Sequence, residues 1–225
     1  MHKFKLSISF LLVFTIIFSF LTPCFAEETS YVWSSSSTSI NSANIQNTTE
    51  ESNTVSTNSN QDTTSNTLNL ESASAILIEQ TTGQILFEHN AHEQLRPASV
   101  TKVMSILLIM EALDSGKISL TDNVPCSENA ASMGGSQIWL DPRETLTVDE
   151  MLKAICVASA NDCVVAMAEY IAGSEEGFVQ MMNDKAKELG MNDTTFKNCH
   201  GLDEDGHVTS SYDISLMSKE LLNKH

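Results

Sequence analysis

The sequence predicts an α+β fold, an antiparallel hairpin followed by a cluster of helices. Three observations predict it. Two short β-prone runs, 73–79 and 84–89, flank the turn Gln80-Thr81-Thr82-Gly83. Beyond residue 96 the apolar positions recur at helical spacing, with capping residues and glycine stops between runs. Ahead of residue 71 the composition builds no core, so the fold is confined to 71–225.

The N-terminal residues 1–26 have the layout of an export signal. Lys3 and Lys5 give a positive start, Leu6 to Leu21 is uncharged and apolar, and Pro23-Cys24-Phe25-Ala26 places small residues before a cleavage point. The run is shorter than the roughly 20 residues of a membrane span. A cleaved signal and an extracytoplasmic, secreted product are predicted; retention of the segment would make the chain membrane-associated. From Ser34 to Thr67, 27 of 34 residues are Ser, Thr, Asn or Gln. Such a stretch cannot offset its ordering entropy, so 27–70 is predicted to be a disordered linker. The chain carries 29 acidic and 12 basic residues, a net charge of −17, and no Lys or Arg between Lys5 and Arg96. Nucleic-acid binding, which needs a basic footprint, is excluded on that ground.

The elements follow in order. Pro97 precedes a helix predicted over 99–115, whose apolar stripe is Val103, Ile106, Leu107, Met110 and Leu113, with Gly116 as its stop. Burying that stripe would contribute on the order of 10 kcal/mol as an upper bound, so the helix is expected to be central. Residues 123–136 read as irregular, and Ile138-Trp139-Leu140 as a short strand or turn. Thr147-Val148-Asp149-Glu150 is a capping box that opens a helix to about Val157. Ser159-Ala160-Asn161-Asp162 interrupts it, and a second helix runs to Ala172 before Gly173. A third, 174–189, carries Phe178, Met181, Met182, Ala186 and Leu189 and stops at Gly190. An extended stretch 194–199 and a polar loop 200–207 lead to a last helix, capped by Ser210 to Asp213, with Ile214, Leu216, Met217 and Leu221.

Five cysteines are present. Cys24 falls in the signal; Cys126, Cys156, Cys163 and Cys199 form an even set that invites a disulfide reading, but small buried thiols are the favoured one. Cys156 and Cys163 are seven apart, on one side of a helical stretch if it were continuous, and would there be too far apart to bridge directly. No paired-ligand spacing occurs, and the 200–207 loop fails the calcium-loop pattern, so neither metal nor cofactor is expected. His92 and His207 are expected at the surface.

The chemistry centres on Ser99 and Lys102. At i, i+3 they share a helix face. Serine needs a proton acceptor to become a nucleophile, and lysine accepts only when neutral. Lowering its pKa by about 3 units corresponds to about 4 kcal/mol against the cation, which requires Lys102 to lie in a closed cleft. Ser159 and Asn161, in the break between two helices, could line that cleft, Ser159 relaying a proton and Asn161 hydrogen-bonding a substrate amide. A plain helix cap is the simpler reading of the same residues.

Ser99-Val100-Thr101-Lys102 with Ser159-Ala160-Asn161 resembles the active-site serine penicillin-recognising enzymes. The closer resemblance is to low-molecular-mass penicillin-binding proteins that act as serine D-alanyl-D-alanine carboxypeptidases, on the β-lactamase-like transpeptidase fold. It runs from about Ala73 to the end of the chain, through Pro97-Ala98-Ser99, Phe178 to Asn183, Glu188-Leu189-Gly190-Met191, Phe196-Lys197-Asn198 and His200-Gly201-Leu202-Asp203. It implies that Ser99 attacks the carbonyl between two D-alanines of a peptidoglycan stem peptide, that Lys102 activates it and that Ser159 protonates the departing D-alanine. Asn161 would hold the substrate backbone, and the Ser99 N–H would form half of an oxyanion hole. β-Lactams are the implied inhibitors.

The family's third motif, Lys-Thr/Ser-Gly, does not occur here. In the family it lies on a sheet strand after the region where this chain stops. The resemblance therefore implies a truncated reading of a longer protein, inactive or poorly folded as given. Membrane contact would be limited to the signal segment or the missing C-terminal region. Two rivals stand beside it. A class A-like β-lactamase would carry Ser-Asp-Asn where this chain has Ser-Ala-Asn, and a Glu to activate the deacylating water. A non-catalytic β-lactam or peptidoglycan binding relative would account for the missing triplet.

Overall fold

The structure, a computed structural model, describes residues 70–225. The signal segment with Cys24, and the linker apart from Leu70, lie outside the described residues. The hairpin forms as β1 (Ala75–Ile78) and β2 (Ile85–His89), antiparallel with Ala75 opposite His89 and a register shift after Leu77. Its turn is built by Glu79, whose carboxylate accepts from the backbone N–H groups of Thr81 and Thr82 and from the Thr82 hydroxyl. These bonds favour the carboxylate and pull its pKa down to about 2. Gly83, at φ +79, takes the left-handed corner.

The segment before the first long helix differs from the sequence expectation. Ala98–Thr101 is a 3-10 turn, and α1 begins only at Lys102, running to Asp114. The stripe also differs: Met104, Leu107, Leu108, Ile109 and Ala112 are buried, whereas Val103, Ile106 and Leu113 are only half-buried against the core and Met110 is half-buried. A helix apolar on nearly every side has no single stripe to read, and neighbours on several sides decide which residues go deepest.

Residues 123–136 are not wholly irregular: they hold two short elements, β3 (Asn123–Pro125) and α2 (Glu128–Ala131). β3 pairs antiparallel with β4 (Thr145–Thr147). Residues 138–140 form a loop, not a strand, with Trp139 at φ 60 and exposed. The capping box forms as predicted: Thr147 Oγ1 accepts from Glu150 N and the Glu150 carboxylate accepts from Thr147 N, opening α3 (Val148–Ala158).

α4 (Asn161–Ala172) is buried almost all round, through Cys163, Val164, Val165, Ala166, Met167 and Ala168. α5 (Glu175–Glu188) starts at the cap Ser174 and buries Phe178, Met182 and Ala186. α6 (Ser211–Lys224) starts at the cap Ser210 and packs on α1 and β1. α1 and α4 are thus enclosed by the other helices, with Phe178, Phe196, Met151, Met167, Met182 and Met217 filling the centre. Among the described residues no helix is long and apolar enough to cross a membrane.

Candidate functional site

The 3-10 turn sets the geometry of the Ser99–Lys102 pair. With three residues per turn, positions i and i+3 eclipse, so the two side chains stack along the axis. Ser99 is exposed and Lys102 is only 3% exposed, with Lys102 Nζ donating to Ser99 Oγ at 3.3 Å. The ammonium also donates to the His200 carbonyl at 2.7 Å. Burial disfavours the cation and lowers the lysine pKa from 10.5 to about 8. This is the closed environment that a serine–lysine pair needs.

Two close backbone approaches hold the turn. Ala98 adopts φ 47, a left-handed conformation that costs a residue with a Cβ about 1 kcal/mol or more. Gly201, at φ +94, lies directly over it; a Cβ there would stand 1.9 Å from Ala98 O and 3.1 Å from Ser99 N. Only glycine lets the 198–204 loop come this near to the serine. Asn198 shapes that loop from inside, its Oδ1 accepting from Gly201 N and its Nδ2 donating to Leu202 O.

Ser105, one turn along α1 from Lys102, donates to the Cys199 carbonyl at 2.7 Å. Lys102 and Ser105 therefore take the consecutive carbonyls of His200 and Cys199, and the bent 199–200 stretch lies along α1. On its other side the Glu175 carboxylate accepts from Cys199 N at 3.3 Å and lies 3.4 Å from His200 Nε2.

Ser159 and Asn161 flank the α3–α4 break. Ser159 closes α3 in the left-handed region at φ 55, and Ala160 precedes the first residue of α4 without a side-chain cap. Neither Ser159 nor Asn161 gives α4 a side-chain cap, although Ser159 is the C-cap residue of α3 and Asn161 is the first residue of α4. Asn161 is 3% exposed; its N–H donates to Ser136 O and its Nδ2 to Gly134 O, both at 2.7 Å. Its Oδ1 is buried and without a partner, which leaves one acceptor uncommitted. Asp162 beside it accepts from the N–H groups of Ile138 and Leu140, clamping the 134–140 loop onto the start of α4.

The structure thus brings Ser99 and Lys102 into direct contact. It links Asn161 to them more remotely: a Cβ at Gly135 would stand 2.9 Å from Asn161 Nδ2 and 3.4 Å from Leu202 Cδ2, and Leu202 follows Gly201. Sequence reasoning left Ser105, Glu175 and Gly201 without a part in the site; the His200-Gly201-Leu202 triplet was the available signal for the loop.

His207 is not a surface residue. It is 2% exposed, its Nδ1 accepting from Lys197 N and its Nε2 paired with Thr101 Oγ1. Burial lowers its pKa and keeps it neutral. Both nitrogens are satisfied by groups distant in sequence, which a local reading cannot see. His92 is exposed as expected, at 63% of its side chain, against Asp193. All four cysteines of the described residues are free thiols, but Cys156 is exposed rather than buried, because its position on α3 faces away from the core.

In architecture the chain matches solved penicillin-binding proteins and carboxypeptidases. It superposes on D-alanyl-D-alanine carboxypeptidase DacD from Francisella tularensis with TM-score 0.68 at 33% identity, covering 69% of this chain and 38% of that one. It also superposes on penicillin-binding protein D2 from Listeria monocytogenes, in its ampicillin-bound form, with TM-score 0.63 at 29% identity, covering 70% of this chain and 64% of that one. The chain belongs to the D-alanyl-D-alanine carboxypeptidase family, whose sequence pattern matches residues 56–225. D-alanyl-D-alanine carboxypeptidase DacF of Bacillus subtilis is 61% identical over 145 residues, 64% of this chain and 37% of that protein. DacC of Escherichia coli is 38% identical over 152 residues, 65% of this chain and 38% of that protein. The chain therefore spans less than two fifths of the length of these two relatives.

Proposed function

We propose that the protein is a serine D-alanyl-D-alanine carboxypeptidase that trims the terminal D-alanine from peptidoglycan stem peptides outside the cytoplasmic membrane, after export by the 1–26 segment. The observation that carries the reading is the Ser99–Lys102 pair: an exposed hydroxyl 3.3 Å from a buried amine whose pKa is lowered to about 8. Neutral Lys102 takes the Ser99 proton as Oγ bonds to the penultimate D-alanine carbonyl carbon. The tetrahedral oxyanion collapses to the acyl-enzyme, the peptide C–N bond breaks, and the proton reaches the departing amine through Ser159. Water then adds to the ester, Ser99 leaves with a proton, and the shortened peptide departs. Asn161 holds the substrate backbone. β-Lactams acylate the same hydroxyl.

Intact-mass measurement after exposure to benzylpenicillin tests this reading. The expected result is one adduct per chain, mapped to Ser99 and absent in Ser99→Ala, together with D-alanine release from a stem-peptide analogue ending in D-Ala-D-Ala. An adduct on another residue, or the same adduct in Ser99→Ala, would overturn it.

A further inference from the structure

Lys102 is held by a carbonyl, and that carbonyl belongs to a loop that needs its own anchor. The 199–200 stretch receives hydrogen bonds from α1 on one face only, through Lys102 and Ser105. On the other face it borders a cleft of about 240 Å³, lined by Glu175, Lys197, Asn198, His200, Leu202 and Glu204 among others. Apolar packing does not close that face, so polar contacts must hold it.

Glu175 supplies them. It stands in the first turn of α5, where the helix dipole favours an acid, while capping is left to Ser174. Its Oε1 accepts from Cys199 N and from the Cys199 thiol, each at 3.3 Å. The same oxygen lies 3.4 Å from His200 Nε2. His200 Nδ1 accepts from Leu202 N at 3.1 Å, so the ring proton is on Nε2, the nitrogen beside the carboxylate. One oxygen thus gathers both residues whose carbonyls α1 holds from the other side.

We propose that Glu175 is a positioning residue for Lys102: it fixes the Cys199–His200 backbone so that the His200 carbonyl holds the Lys102 amine against Ser99. The proposal rests on the function proposed above for its kinetic consequence, but not for its structural one. The charged and titratable groups facing His200 are Glu175 from α5, Lys102 from α1, and Glu204 and His207 from the chain that follows it, with Cys199 adjacent. Burial lowers the His200 pKa and raises that of Cys199, so both are neutral near pH 7. Glu175 therefore acts by its hydrogen bonds, and a neutral acceptor of the same shape should serve.

Three substitutions separate anchoring from filling space. In the full-length protein, Glu175→Ala should lower the second-order rate of acylation by a fluorescent penicillin by about tenfold or more, a 1 Å misplacement of a catalytic group costing up to about 100-fold. Glu175→Gln, which keeps an acceptor oxygen, should stay within about twofold of the native rate, while Glu175→Met, of similar volume but without one, should fall with Ala. A native rate in Glu175→Ala, or equal rates in Gln and Met, would overturn the proposal. Crystal structures supply a readout independent of activity. The Lys102 Nζ to His200 O distance, 2.7 Å here, should exceed about 3.5 Å in Glu175→Ala and be kept in Glu175→Gln. An unchanged distance in Glu175→Ala sinks the proposal, whereas a native protein that takes up no penicillin sinks only the functional reading.

Discussion

Raising the pH should switch on acylation of Ser99. The reacting form of Lys102 is the neutral amine, and burial sets its pKa at about 8. With that value the neutral fraction is about 1% at pH 6, about 10% at pH 7, about half at pH 8 and about 90% at pH 9. An unburied lysine at its ordinary pKa would be neutral in only about 0.03% of molecules at pH 7, a roughly 300-fold handicap. His200 and His207 are pushed down by burial, and the thiols of Cys126, Cys163 and Cys199 are pushed up by it. The assay is the second-order rate constant for trapping by a fluorescent penicillin from pH 6 to 9.5, with Ser99→Ala as the blank. The rate should rise about tenfold per pH unit below about 7, about fivefold from pH 7 to 8, and level off above about 9. A profile flat from pH 6 to 9, or one still climbing tenfold per unit at pH 9.5, would refute the argument that burial makes Lys102 the proton acceptor.

The same burial has a cost in stability. The folded pKa of Lys102 lies below its unfolded value, so the unfolded state binds more protons between about pH 8 and 10.5. Native stability relative to Lys102→Met should therefore improve across that range, by up to about 3 kcal/mol, as read from denaturant titrations of both proteins at pH 7 and 10. Gly201→Ala should destabilise the fold by more than about 2 kcal/mol and slow penicillin uptake, because its Cβ would stand 1.9 Å from Ala98 O at φ +94; unchanged values in both measurements would contradict the close approach. Thr147→Ala, remote from the site, should cost about 1 kcal/mol by loss of the cap with acylation unchanged. Among Cys126, Cys156, Cys163 and Cys199, Ellman's reagent should label Cys156 rapidly in the native state and the other three only on unfolding; Cys156→Ser should remove the fast phase.

Much of the frame was legible because it is local. The hairpin, the Thr147 capping box, the Ser174 and Ser210 starts and the glycine stops are written within a few residues of where they act. The Ser99–Lys102 pair was legible for the same reason, since one turn of helix separates them. What escaped is long-range. β3 and β4 are three residues each, too short for a period, and exist only through their pairing. His207 is a core residue because Thr101 and Lys197 occupy its nitrogens. Ser105 is the one polar side chain on the buried face of α1 beyond Lys102, and nothing nearby announces that its partner is the Cys199 carbonyl. The start of α1 was misplaced by three residues because the turn before it is set by Gly201, about a hundred positions away.

The Gly201 contact also constrains how this sequence can change. The atoms a side chain at 201 would strike are the carbonyl oxygen and carbon of Ala98, which every amino acid carries. No substitution at 98 can make room, so the two positions cannot co-vary to relieve each other. A screen for second-site suppressors of Gly201→Ala should return changes in loop length or in the Asn198–Glu204 bonds that aim the loop, and none at 98. Position 201 is thus fixed by the shape of the main chain itself, and drift in the surrounding side chains cannot release it.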